Sequence, residues 1–162
     1  MTPAEKGAIR AQIVGSLAGE MAWERAQQPD PRGFRSNWSI RQRIAIHESG
    51  HGFAFTLFGR TPVYLEVRDP AWTPNGFTLY GSCSFVEAPH PEDAGPSDDE
   101  EAIALCKKLD PQGWEAVLAD LQTITRELVA DNWATILALG LELSFRGRLD
   151  RPEIERICKL YD

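Results

Sequence analysis

Arg43-Ile44-Ala45-Ile46-His47-Glu48-Ser49-Gly50-His51-Gly52 contains the pentapeptide His-Glu-x-x-His, and two of the chain's three histidines fall in it. On an α-helix, residues four apart lie about 40° apart around the axis and about 6 Å apart along it. His47 and His51 can therefore aim ring nitrogens at one tetrahedral metal ion, ordinarily zinc. Glu48 sits beside them, at the right height to take a proton from a water that the metal polarises. Such a site keeps one position open for water or substrate, so one further protein ligand is expected downstream.

The flanking residues predict the helix itself. Ser39 with Gln42 forms an N-terminal capping box, and Gly59 supplies a stop. Between them Ile40, Ile44, Ala45, Phe55 and Phe58 fall at helical spacing. Gly50 costs about 1 kcal/mol of helix propensity, and its missing Cβ predicts close approach to a neighbouring element.

Working outward, Thr2-Pro3-Ala4-Glu5 is a second capping box and predicts a helix from about Pro3 to Gln27. Its apolar stripe is Ile9, Ile13, Leu17 and Met21, joined by Val14, and it packs on the domain. Downstream, Val63, Leu65 and Val67 alternate with Tyr64 and Glu66, and Phe77 to Phe85 alternate likewise. These are two strands, expected to be antiparallel, joined through turn signals at Asp69-Pro70 and Thr73-Pro74-Asn75-Gly76. Ser97 with Glu100 opens another helix. Residues 111–146 read as helical almost throughout, with a break expected near Ala130 to Asn132 and a stop at Gly147. Asp150-Arg151-Pro152-Glu153 caps a last helix to about Leu160.

The chain has 162 residues, enough to bury a core in one domain. We divide it into an N-terminal helix and linker (1–36), the metal helix and sheet (37–96) and C-terminal helices (97–162). Net charge is −7, and residues 87–101 carry seven carboxylates with no Lys or Arg, so the remaining 17 acids balance 17 bases. That balance disfavours a basic nucleic-acid face. Cys83, Cys106 and Cys158 are odd in number and far apart, which argues for small buried hydrophobes in a reducing compartment rather than disulfides. No apolar run reaches the ~20 residues of a membrane span, and the first residues lack a signal-peptide layout. A cytoplasmic protein without membrane or nucleic-acid partners is expected.

Two common completions of the zinc site can be tested directly. The metzincin extension needs Gly at Ala54 and His at Leu57, and neither is present. The gluzincin plan needs a Glu on a following helix, whereas Glu66 falls in a strand pattern.

The stretch Ile44 to Gly52 resembles the FtsH-type peptidase family, whose motif reads His-Glu-Ala-Gly-His-Ala after a short apolar lead. Strands like Val63–Val67 and Phe77–Phe85 follow in that family. Its third zinc ligand is an aspartate at a helix start, in a pattern similar to Ser97-Asp98-Asp99-Glu100-Glu101-Ala102-Ile103. The resemblance thus implies His47, His51 and Asp98 as metal ligands and Glu48 as the catalytic base. Asp99, Glu66, Glu87 and His90 remain open as alternatives to Asp98. The stretch from Leu128-Val129 through Trp133 to Arg148-Leu149 and Glu153 is similar to the tail of small stand-alone relatives. One family helix, Glu-Leu-x-Gly-x-x-Ala-Glu-like, is replaced by the acidic, Pro-rich segment Ala88 to Pro96. No Gly-x-x-x-x-Gly-Lys-Ser/Thr occurs, so no AAA ATPase module is expected.

The fold expected is α+β, mainly α: a zincin-like active-site helix, a small antiparallel sheet and a C-terminal helical bundle. The function implied is that of an ATP-independent zinc metallopeptidase acting on peptides or unfolded protein, with the second strand as the edge that receives substrate. The alternative is a non-catalytic zinc-binding interaction module of peptidase-like fold. An open coordination position separates the first from the second.

Overall fold

In order, the computed structural model contains α1 (Pro3–Ala26), α2 (Ile40–Leu57), β1 (Tyr64–Thr73), β2 (Gly76–Ser84), α3 (Asp98–Leu109), α4 (Trp114–Asp131), α5 (Trp133–Arg146), β3 (Arg148–Asp150) and α6 (Arg151–Leu160). It describes residues 1–28, 38–74, 76–85 and 97–161. The fold is α+β and mainly helical, with one antiparallel sheet in the order β2-β1-β3.

The capping boxes expected at Thr2, Ser39 and Ser97 start α1, α2 and α3. Thr2 Oγ1 accepts from the Glu5 amide at 3.1 Å while the Glu5 carboxylate accepts from the Thr2 amide at 2.7 Å. Ser39 and Gln42 form the same reciprocal pair at the start of α2. The apolar stripe expected along α2 is only partly right, since Ile40 and Phe58 are exposed. The helix is instead buried on nearly every side, with Ala45, Ile46, Ser49 and Ala54 fully covered. Such all-round burial marks a central helix rather than a surface one. It lies between α1 and α5, with the sheet against it. At Gly50 the approach of α1 is so close that a Cβ would stand 2.5 Å from the Ala18 carbonyl oxygen, as the glycine foretold.

α1 is the spine between two apolar clusters. Met21, Ala22 and Ala26 join α2, β1, α5 and α6 in one, with Ile136, Leu139, Leu149 and Ile154. Ile13, Val14 and Leu17 join α3 and α4 in the other, with Ala102, Cys106 and Leu121. Burying side chains of about 1.5–3 kcal/mol each on both faces ties the N-terminal helix to the rest of the molecule.

Two expectations about strands need correction. Asp69-Pro70 does not turn the chain: β1 runs on to Thr73, and the register shifts between Arg68 and Ala71. Proline has no amide to give to the ladder, so a bulge absorbs it where a turn was read. The third strand, Arg148–Asp150, went unread because three residues carry no period; it pairs with β1 at Leu65↔Leu149. It follows directly from the Gly147 cap (φ 83°), which ends α5 as expected. The long helical stretch breaks at Asn132, and α4 and α5 bend by 75° there. At the break the Leu128 carbonyl accepts from both the Asn132 amide, at 3.2 Å, and Asn132 Nδ2, at 2.8 Å. Asp150 precedes α6 but makes no side-chain cap; its carboxylate pairs with Arg148 at 3.0 Å. Among the described residues no single helix is long and apolar enough to cross a membrane; α4 and α5 pass that test only as a bent pair.

Candidate metal centre

His47 and His51 project from the middle of α2, and Asp98 from the first turn of α3. His51 Nε2 lies 3.2 Å from His47 Nε2 and 3.0 Å from Asp98 Oδ2, and His47 Nε2 lies 3.5 Å from the same oxygen. Ligand bonds of about 2.0–2.2 Å in a tetrahedral zinc site put ligand atoms about 3.3–3.6 Å apart, close to this spacing. A second observation fits a cation at their centre. His51 Nδ1 donates to the Gly15 carbonyl oxygen at 2.7 Å, so when the ring is neutral it turns a lone pair on Nε2 toward the other two atoms. Lone pairs facing each other need a positive charge between them, which a metal ion or a proton on His51 Nε2 shared with Asp98 supplies.

The electrostatics agree. Burial alone would lower the pKa of His51, but the Asp98 hydrogen bond and the Glu48 and Asp98 charges outweigh it and push it up to about 9. Burial would raise Asp98, yet its hydrogen bonds to His47 and His51 hold its carboxyl well below the usual range. Burial also pushes the Glu48 carboxyl above its ordinary value, against the pull of both histidines and with a further push from Asp98. The site draws positive charge, and its buried base holds a proton more readily than an exposed glutamate does.

The surrounding elements explain the geometry. Ser97 caps α3 by accepting from the Glu100 amide at 3.2 Å, which fixes the turn that carries Asp98. Glu101, one turn on, accepts from Gln12 Nε2 and Ser16 Oγ of α1, each at 3.2 Å, and docks α3 beside the site. α1 comes close enough that a Cβ on Gly19 would stand 2.2 Å from His51 Nε2. The Trp23 ring meets His47 edge-on, with centroids 6.4 Å apart. From the sheet, Gly81 of β2 faces the base: a Cβ there would stand 2.8 Å from Glu48 Oε1.

Two clefts meet at this point. One, of about 490 Å³, is lined by Glu48, His51 and Asp98 and continues past Phe55, Arg60 and Phe85. The other, of about 350 Å³, is lined by Glu20, Trp23, Ile44 and His47. Glu48 and Gly81 belong to both, so the base stands where the two join.

Of the sequence candidates, His47, Glu48, His51 and Asp98 come together. Asp99, the next residue of α3, is exposed and stays out of the cluster. Glu66 lies outside it too, on the sheet, where it pairs with Arg68 at 2.7 Å and approaches Arg148 at 3.8 Å. Glu87 and His90 lie outside the described residues. Cys83 lines the larger cleft, and burial followed by the Glu48 and Asp98 charges pushes its thiol well above the ordinary value, with Arg60 opposing. That shift disfavours its thiolate form. The sequence reading missed the Gly15 carbonyl and the Gly19, Gly81, Gln12 and Glu101 contributions. A backbone acceptor leaves no trace in a sequence, whereas the small residues Gly15, Ala18, Gly19 and Ala22, at helical spacing, were a signal that a helix packs closely there.

No protein-family model, no curated protein and no solved structure matches the chain.

Proposed function

We propose that this chain is a zinc-dependent metallopeptidase that hydrolyses peptide bonds without ATP. The observation that carries the reading is the convergence of three ligand atoms within 3.0–3.5 Å beside a buried glutamate at the junction of two clefts. The same four residues are those implied by the resemblance to FtsH-type peptidases. His47, His51 and Asp98 would hold the ion, two neutral ligands and one anionic. Zinc held there supplies Lewis acidity toward the scissile carbonyl and lowers the pKa of an attacking water.

The chain's own residues do the rest. Glu48 accepts the proton of the water and delivers it to the leaving amine. Gly81 keeps the space before its carboxylate clear. β2 is an edge of the sheet, so its outer ladder groups can pair with an extended peptide lying across Glu48. Peptides and unfolded segments fit such an edge; folded proteins do not. A purely structural zinc site would ask for a fourth protein ligand and has no use for the base; the described cluster contains three ligands. The cytoplasmic location belongs to the same proposal, and the free thiols Cys83, Cys106 and Cys158 support it.

The test is zinc content and peptide hydrolysis of protein purified without a His tag. We expect about one zinc ion per chain, lost in His47→Ala and Asp98→Ala and kept in Glu48→Gln, with hydrolysis only in the wild type. Failure of the wild type to hold zinc after loading overturns the reading. Zinc without hydrolysis leaves the interaction module.

A further inference from the structure

The larger cleft holds one Arg or Lys among its described lining residues, Arg60, and it is unusually well fixed for an exposed side chain. Its backbone is set by the end of α2. Gly59, at φ 80°, donates to the Thr56 carbonyl at 3.0 Å, and the Arg60 amide reaches back to the Phe55 carbonyl at 2.8 Å. This is the Schellman arrangement, which pins the residue after the glycine. The side chain is fixed as well. The guanidinium stands 4.3 Å over the Phe85 ring and 5.9 Å from the Phe55 ring, and those two rings meet edge-on. Nη1 donates to Gln12 Oε1 at 2.6 Å, and Gln12 in turn donates to Glu101.

A guanidinium has five donors in a planar fork. One is engaged by Gln12, and no described carboxylate stands within ion-pair distance of Arg60. Glu101, the nearby cleft acid, already accepts from Gln12 and Ser16. A preorganised fork without an ion-pair partner among the described residues, facing a cleft, is suited to a carboxylate, which it can take with two parallel hydrogen bonds.

We propose that Arg60, oriented by Phe85 and Gln12, forms a carboxylate-binding subsite in the cleft that holds Glu48, and that it selects peptides bearing a carboxylate. The carboxylate is either the peptide's C-terminus or an acidic side chain. The inference rests on the peptidase reading for the identity of the cleft, but its test does not depend on turnover.

The test uses the full chain loaded with zinc and three pools of acetylated random hexapeptides. One has a free C-terminal carboxylate, one is amidated, and one is amidated with Glu or Gln fixed at each position in turn. Binding is read by equilibrium dialysis on Glu48→Gln, and cleavage on the wild type. We expect carboxylate-bearing peptides to bind about tenfold more tightly than their neutral counterparts. Adding Arg60→Gln should remove that difference, and Arg60→Lys should keep part of it. Preference for the free terminus over the amide identifies the C-terminus as the source; preference for Glu over Gln within amidated peptides identifies a side chain. Equal binding of charged and neutral peptides, a preference that survives Arg60→Gln, or no binding by any pool overturns the subsite. Charge-dependent binding that Arg60→Gln removes, without cleavage, upholds the subsite and removes the peptidase reading. Cleavage without charge preference does the reverse.

Discussion

Three small residues near the centre do different work, and single substitutions separate them. Ser49 lies between Glu48 and Gly50, is fully buried, and its hydroxyl has no hydrogen-bond partner. An unpaired buried hydroxyl costs about 1–3 kcal/mol, and alanine is the better helix former. Ser49→Ala should therefore stabilise the protein by about 1 kcal/mol in urea unfolding, while zinc binding persists. Gly19 and Gly81 crowd the site from opposite sides, and their loss should show opposite defects. A methyl at Gly19 meets the His51 ring, so Gly19→Ala should weaken zinc binding by about tenfold or more while helix content is kept. A methyl at Gly81 meets the Glu48 carboxylate, so Gly81→Ala should keep zinc and lose turnover. Competition with a fluorescent chelator and steady-state kinetics read the two. At this scale the sequence was eloquent about Gly50, whose neighbours in the motif drew attention to it. It was silent about Gly19, because the ring that glycine admits belongs to a distant part of the chain.

Among elements, α3 is the arm that brings Asp98 to the two histidines; Ala102 and Cys106 pack it on α1 and α4, the Glu101 contacts dock its first turn on α1, and the Ser97 cap shapes that turn. Ser97→Ala removes a cap worth about 1 kcal/mol and frees the turn that carries the ligand. We expect it to lower zinc affinity about tenfold, and Glu101→Ala to do likewise, since outer partners of ligands act on that scale. Affinity unchanged in both would mean that the histidines and Asp98 find each other without this docking. The starts of α1, α2 and α3 were readable because capping boxes are local chemistry, with the acceptor and donor three residues apart. The break at Asn132 was readable from length alone. β1 beyond Asp69 was not, because Pro70 has the same local signature in a turn and in a bulge, and only pairing with β2 tells them apart. β3 was beyond reach for a related reason: Arg148–Asp150 is a strand only by virtue of the β1 residues opposite it.

For the whole molecule, zinc would join α2 to α3 across the cleft and so add to folding stability. A ligand at about a hundred times its Kd adds about 2.7 kcal/mol when it binds the native state alone. Chelation should therefore lower the Tm of the wild type and of Glu48→Gln equally, and leave Asp98→Ala nearly unchanged, in calorimetry at fixed protein concentration. A wild-type Tm indifferent to chelator would place the metal outside the folded centre. The overall α+β class was readable because the helical and strand periods are strong. The spatial order was not, since the clefts, the two cores and the central burial of α2 arise from contacts between distant segments. One of those contacts reaches beyond this molecule. Because α1 makes room for the ring of His51 at Gly19 and lends it the Gly15 carbonyl, the metal motif and the first helix form a single lock. Recognising other chains built this way calls for a composite pattern: Gly-x-x-x-Gly on an N-terminal helix, then His-Glu-x-Gly-His. A chain with the second half alone would need another means of seating its second histidine.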